Sequence, residues 1–426
     1  MPPGNRDDIP QINIEYQRRQ RPIVDIAALA ATATLPSMRH TMDFIMALKN
    51  ASLDYPVTNL STDTLQQLRN PPNEITPIED PGTRFSIAAY LALENTSQVA
   101  YNRVCRAARD AFTGSLGADN ILSFHNVEKF IASYTGVVSI EHDMCRNTCI
   151  VYTGPFTHLD TCPTCGTSRW KDERLQGTHG RSKIAVQTFT TIPIGPQLQA
   201  LYRNKDSAID MDYLHQRTEE VLQQIWETGG IPVVDDIAMG WDYLGAVLDG
   251  DIKSHDIVVM VSLDRAQLYD SKESDCWIYI WIIVNLPPDK RYRKLHVCPG
   301  DFIPGPNKPK NVNSFLFPGL HHLAALQAEG LPIWNTRTDS RYLSDIYLIR
   351  HYSSLATVVP EVAIMPTLTS SGLHLADVPS TLPIFRPSSP CLIKLNGTKR
   401  RQKWVSQNLR LFSHSHPHDP SVCPYA

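Results

Sequence analysis

Apolar residues recur at helical spacing through the first third of the chain and then give way to short, unbroken apolar runs. Met42, Phe44, Ile45 and Leu48 share one face, which predicts a helix over 38–48. The same period predicts helices over 61–68 and 85–93, and an alanine-rich helix capped by Thr96 or Ser97 that runs through Val104, Ala107 and Phe112. A fifth is expected over 127–134, ended by Gly136, and two more over 213–226 and 236–248, split by Gly229-Gly230. Ile257 to Leu263 then has the continuous apolar character of a buried strand. Cys276 to Val284 is a second, β-branched and aromatic throughout, and Arg293 to Val297 is predicted as a shorter third. The connections, about eleven and eight residues, are short for a parallel crossover, so the three strands are expected to be antiparallel. A Pro/Gly loop over 299–309 should follow, and then a helix that starts near Pro318 and stops at Gly330.

The chain therefore reads as α+β. A loose arm (1–36) precedes a helical N-terminal region (37–136), a cysteine-rich unit with a basic flank (137–195), a helical connector (196–255) and a strand-rich core (256–349). Residues 350–426 hold one glutamate and two aspartates against many serines and prolines, and no amphipathic period survives there. A low-order tail is expected, and a compositional shift inside a core points to a change of reading frame or a retained intron. The 426 residues allow two or three domains of about 100–200 residues, and 42% apolar content is enough to build their cores. The N-terminus lacks the apolar segment of a signal peptide, and no run reaches the ~18 apolar residues of a membrane span, so the protein is expected to be neither secreted nor membrane-bound.

Candidate chemistry begins with Cys145-x3-Cys149-x12-Cys162-x2-Cys165. Two close thiol pairs separated by a loop suit structural zinc, because each pair can present both sulfurs from one tight turn. Gly166 after the last cysteine lets the chain turn back over the metal. His142, His158 and Asp160 stand as substitute ligands, and two disulfides or four separate buried thiols are the alternatives without metal.

A net charge of −3 excludes a uniformly basic nucleic-acid binder, so DNA contacts must come from local patches. One is Arg169, Lys171, Arg174, Arg181 and Lys183, opposed by two carboxylates. The other is Lys290, Arg291, Arg293, Lys294, Lys308 and Lys310, opposed by Asp289 and Asp301. Solvated loops are the plain alternative for both. Asp264 closes the first predicted strand. Three strands and a helix with a carboxylate in that place form the opening of a ribonuclease-H-like fold.

Several motifs together resemble fungal transposases of the CACTA (En/Spm) family. They are the cysteine pattern opening Asp143-Met144-Cys145, the run Ile192 to Leu201, Ser262-Leu263-Asp264, Asp275 to Trp281, and Phe302 to Lys310. The resemblance covers roughly 37–345 and implies a nuclear, DDE-type enzyme that cuts and rejoins transposon-end DNA with an acidic triad and magnesium, and that can self-associate. Asp264 matches the first acid, although Arg265 stands where the family has glycine. The second acid is expected in a context like Leu-Ala-Thr-Ala-Asp-Gly-Pro, where this chain reads Leu355-Ala356-Thr357-Val358-Val359-Pro360. The third would fall beyond residue 426. The expectation is thus a truncated, catalytically incomplete member of the family, with a zinc-dependent DNA- or protein-binding module as the alternative.

Overall fold

In a computed structural model, the protein is described over residues 24–349, apart from 57–58, 94–95, 178–182, 231–233 and 270–271, together with two short strands, Thr367–Thr369 and Gly372–His374. For 174–175, 265–269 and 272–275 only the backbone is described. The expectations for the tail, for Val358-Val359 and for Arg181 lie outside these residues.

The helical region opens with α1 (Ile26–Thr32), inside the span read as a loose arm, and continues through α2 (Pro36–Lys49) and α3 (Thr62–Arg69). After these come α4 (Pro81–Ala92), α5 (Gln98–Ala111) and α6 (Phe124–Thr135). Local chemistry sets their ends. The Ser61, Asp80, Ser97 and Ser123 side chains each accept from a backbone N–H in the first turn, and Gly136 closes α6 in the left-handed conformation. Helices α4, α5 and α6 enclose a small core of their own around Tyr90, Tyr101, Cys105 and Ile131.

A six-stranded sheet follows, built from β1 (Ile140–Met144), β2 (Gln187–Thr191), β3 (Ile257–Tyr269), β4 (Lys272–Ile283), β5 (Cys298–Pro304) and β8 (Ile346–Ile349). Its spatial order is β1-β2-β5-β4-β3-β8. Pairing is antiparallel from β1 through to β3, whereas β8 lies parallel to β3, with Val259 opposite Leu348. The crossover from β5 to β8 contains α13 (Val312–Glu329) and a hairpin of β6 (Leu331–Asn335) and β7 (Ser340–Ser344). The short strands β9 (Thr367–Thr369) and β10 (Gly372–His374) pair with each other.

Two sequence expectations are corrected here. The third strand is not Arg293–Val297, which forms turns after the short helix α12 (Pro288–Arg291); it is Cys298–Pro304, in the stretch read as a loop. Pro299 and Gly300 are tolerated because the register slips at this point. Tyr279 faces Asp301 while Ile280 faces Pro299, so Gly300 is the extra residue of a bulge. A side chain there would strike the Tyr279 ring, 2.3 Å from an ideal Cβ. The helix also begins six residues before Pro318, at Val312, capped by the Asn311 side chain.

The sheet faces divide the remaining packing. Ile257, Val259 and Leu263 of β3 join Tyr279, Trp281 and Ile283 of β4 beneath α13 and α8 (Ile194–Arg203). Val258 and Met260 face the other way, against α10 (Tyr213–Thr228) and α11 (Trp241–Leu248). α9 (Lys205–Met211) links α8 to α10, and α7 (Asp172–Gly177) lies between β1 and β2 in sequence.

Candidate metal centre

The two cysteine pairs sit on two tight turns. In the first, the Thr148 amide donates to the Cys145 carbonyl at 2.9 Å, and Thr148 itself takes a left-handed φ of 55°. In the second, Gly166 donates to the Cys162 carbonyl at 2.8 Å with φ of 72°, the turn-back its position predicts. The turns bring all four sulfurs within 4.8 Å of one another. Tetrahedral zinc with ~2.3 Å bonds needs sulfurs about 3.8 Å apart, so a single four-coordinate ion fits this spacing.

Hydrogen-bond donors gather around two of the sulfurs and favour the thiolate at Cys165. The Asn147 amide N–H points at Cys145 Sγ (3.4 Å), the Asn147 side chain at Cys165 Sγ (3.6 Å), and the Thr167 hydroxyl lies 3.1 Å from Cys165 Sγ. Burial pushes Cys165 up, but the hydrogen bonds from Thr167, Asn147 and Cys145 outweigh it and bring the thiol down to about 6. At Cys149 burial prevails and pushes the thiol up to about 12. A buried set of four sulfurs with donors aimed at it gains most from a cation that ionises all four together. Asn147 and Thr167 were not singled out from sequence; each stands two residues after a cysteine, where a knuckle turn points its N–H or hydroxyl back at sulfur.

The substitute ligands lie elsewhere. His142 is buried and bonded to the Thr191 hydroxyl at 2.9 Å, and burial lowers it to about 4, which keeps it neutral. Asp160 takes Trp170 Nε1 and Lys183 Nζ, and His158 is exposed. Cys145, Cys149 and Cys162 belong to the main hydrophobic core, so the centre is part of the same packed body as the sheet. The backbone N–H groups of Lys310 and Asn311 donate to the carbonyls of Thr148 and Cys149, tying the first knuckle to the start of α13.

The basic positions separate into two kinds. Arg291 is fully buried and pairs with Asp236 at 2.7 Å, so the expectation of a surface cation is corrected there: it ties α12 to the segment that precedes α11. Arg169 lies between the Tyr152 and Trp170 rings, 4.8 and 4.4 Å from their centroids, and binds Asp143. Lys290 is held by both oxygens of Asp210, while Arg293 and Lys183 meet Asp289 and Asp160 at the surface. Lys171, Lys308 and Lys310 are exposed, and Lys308 lies over Trp277, 5.8 Å from the ring centroid. Lys294 follows in the turns after α12, and Arg174 is described by its backbone in α7 alone.

Asp264 is exposed on β3, opposite Ile278 of β4. Among the described residues, the cysteine quartet is where three or more potential metal ligands gather, and no such group includes Asp264. Among the same residues, no helix is long and apolar enough to cross a membrane. No family model matches the chain, and no curated protein matches it.

Proposed function

We propose that the chain derives from a CACTA-type transposase, keeps a zinc-fastened nuclease scaffold, and binds DNA without cutting it. The observation that carries this reading is the strand order β5-β4-β3-β8. Three antiparallel neighbours are followed by a helix and a fourth strand parallel to the first. A ribonuclease-H-like core would have this order, which is what supports the reading. β8 runs parallel to β3 and ends at Ile349 opposite Met260, four residues before Asp264, so both strands point toward the same end of the sheet. In such a core the second carboxylate stands there, and this sequence has Val358-Val359 at the matching motif. Magnesium needs several hard oxygen ligands, and two-metal cleavage needs carboxylates converging on ions about 4 Å apart. With valines at that motif, Asp264 would hold such an ion weakly. The metal, when fully held, would polarise the phosphodiester and activate the attacking oxygen.

The test uses the purified chain, a supercoiled plasmid, and magnesium or manganese. Expected is salt-sensitive DNA binding with no nicking. Metal-dependent nicking that disappears in Asp264→Ala would show an intact catalytic site. Absence of DNA binding at low salt would remove the reading altogether.

A further inference from the structure

A cleft of about 540 Å³ opens between α10, α11 and the start of β3. It lies far from Asp264: seven residues separate Ile257 from Asp264, roughly 23 Å along an extended strand. Leu214, Leu222, Val247, Ile252 and Val258 make its walls apolar. Its size falls within the range of small-molecule sites.

Two acceptors on its wall, the Tyr243 oxygen and the Asp256 carboxylate, keep capacity that their protein partners do not use. The Thr218 hydroxyl gives its single proton to the Leu214 carbonyl at 2.6 Å, so in its 2.7 Å contact with Tyr243 the phenol must be the donor. The Tyr243 oxygen therefore keeps a lone pair that Thr218 does not use. Beside it on the wall, Asp256 is 6% exposed and accepts backbone N–H groups from Lys253 (2.7 Å) and Asp345 (3.1 Å), which leaves further acceptor capacity on both oxygens. The lysine at this cleft is already engaged, Lys253 by Asp345 at 3.2 Å, and the His215 ring meets Glu219 at 3.3 Å. At the mouth, on the last turn of α10, the Trp226 side chain is 78% exposed. A large aromatic left in water beside an apolar cleft marks a contact surface, and an indole face attracts cations.

We propose that this cleft binds a small amphipathic organic cation of the arylalkylamine type. Its ammonium reaches Asp256 and the Tyr243 oxygen, its apolar body rests on Leu214, Leu222 and Val247, and Trp226 covers it. An anion would face the Asp256 and Glu219 carboxylates, and a neutral apolar molecule would cover Asp256 without adding a positive partner. None of this depends on the transposase reading, and binding is expected unchanged in Asp264→Ala.

The probes are 2-phenylethylamine, its neutral analogue 2-phenylethanol and the anion 3-phenylpropanoate, titrated calorimetrically into the full chain. Expected is saturable binding of the amine, with the alcohol and the carboxylate at least ~10-fold weaker. Leu222→Arg, at a half-buried wall position that leaves the helix intact, should abolish amine binding, and Tyr243→Phe should weaken it several-fold. Circular dichroism checks that both variants are folded. Equal binding of amine and alcohol, amine binding that survives Leu222→Arg, or no saturable binding of the amine would each overturn the proposal.

Discussion

The Thr153 hydroxyl donates to the Ser314 carbonyl at 3.3 Å, at the acceptor that Pro318 leaves without its helical partner. Proline has no N–H to return to the residue four positions back, and an unpaired buried carbonyl is costly. Thr153 meets that need, while the Val151 amide donates to the Ser314 hydroxyl at 3.1 Å. The segment after Cys149 is therefore joined to α13 where the helix is interrupted.

Thr153→Val keeps the shape and removes the donor, and should cost about 1–2 kcal/mol in denaturant unfolding. In a Pro318→Ala background the helix supplies its own donor, so the cost of Thr153→Val should shrink. A double-mutant cycle showing no coupling would mean that the hydroxyl acts elsewhere.

One zinc per chain is expected by elemental analysis, with Zn–S distances near ~2.3 Å by X-ray absorption. Cys162→Ser should lose the metal and lower the melting temperature of the whole body, because these cysteines lie in the main core. Metal-free protein with two disulfides would contradict the single four-sulfur cluster.

Asp301 gives a pH signature. It is fully buried, its carboxylate oxygens make no hydrogen bond, and burial raises its pKa well above the ordinary value; the facing Tyr279 amide opposes this without reaching hydrogen-bond geometry. The folded state holds a proton that the unfolded chain releases near pH ~4. The contribution is therefore complete below that pH and is lost as pH rises toward the folded pKa. Asp301→Asn should flatten this decline. Unfolding curves from acid to mildly alkaline pH, compared between wild type and variant, isolate the effect; parallel pH profiles would rule it out.

Arg291 and Lys308 should behave oppositely. Arg291→Ala leaves Asp236 buried without its partner and should cost roughly 3–5 kcal/mol. Lys308→Ala, paired with Lys310→Ala, should leave the melting temperature unchanged and reduce both DNA affinity and its salt slope. A salt slope unmoved by the double substitution would place DNA contacts elsewhere.

The chain by itself determined what local chemistry controls. Serine caps at Ser61 and Ser97, the glycine stop at Gly136, the apolar runs of β3 and β4 and the knuckle spacing of the cysteines all act within a few residues, so their patterns survive in one dimension. Tertiary structure decided the rest through partners distant in sequence. Pro299 and Gly300 read as loop until Tyr279 fills the space above a bulge. Pro318 reads as a helix start until Thr153 satisfies the carbonyl it strands. Arg291 reads as a surface cation until Asp236, 55 positions earlier, neutralises it in the interior. The strands β1 and β2 flank the cysteines, yet they complete a sheet whose central strands β4 and β5 lie about eighty residues or more later, because backbone hydrogen bonding between strands does not depend on the distance along the chain that brings them together.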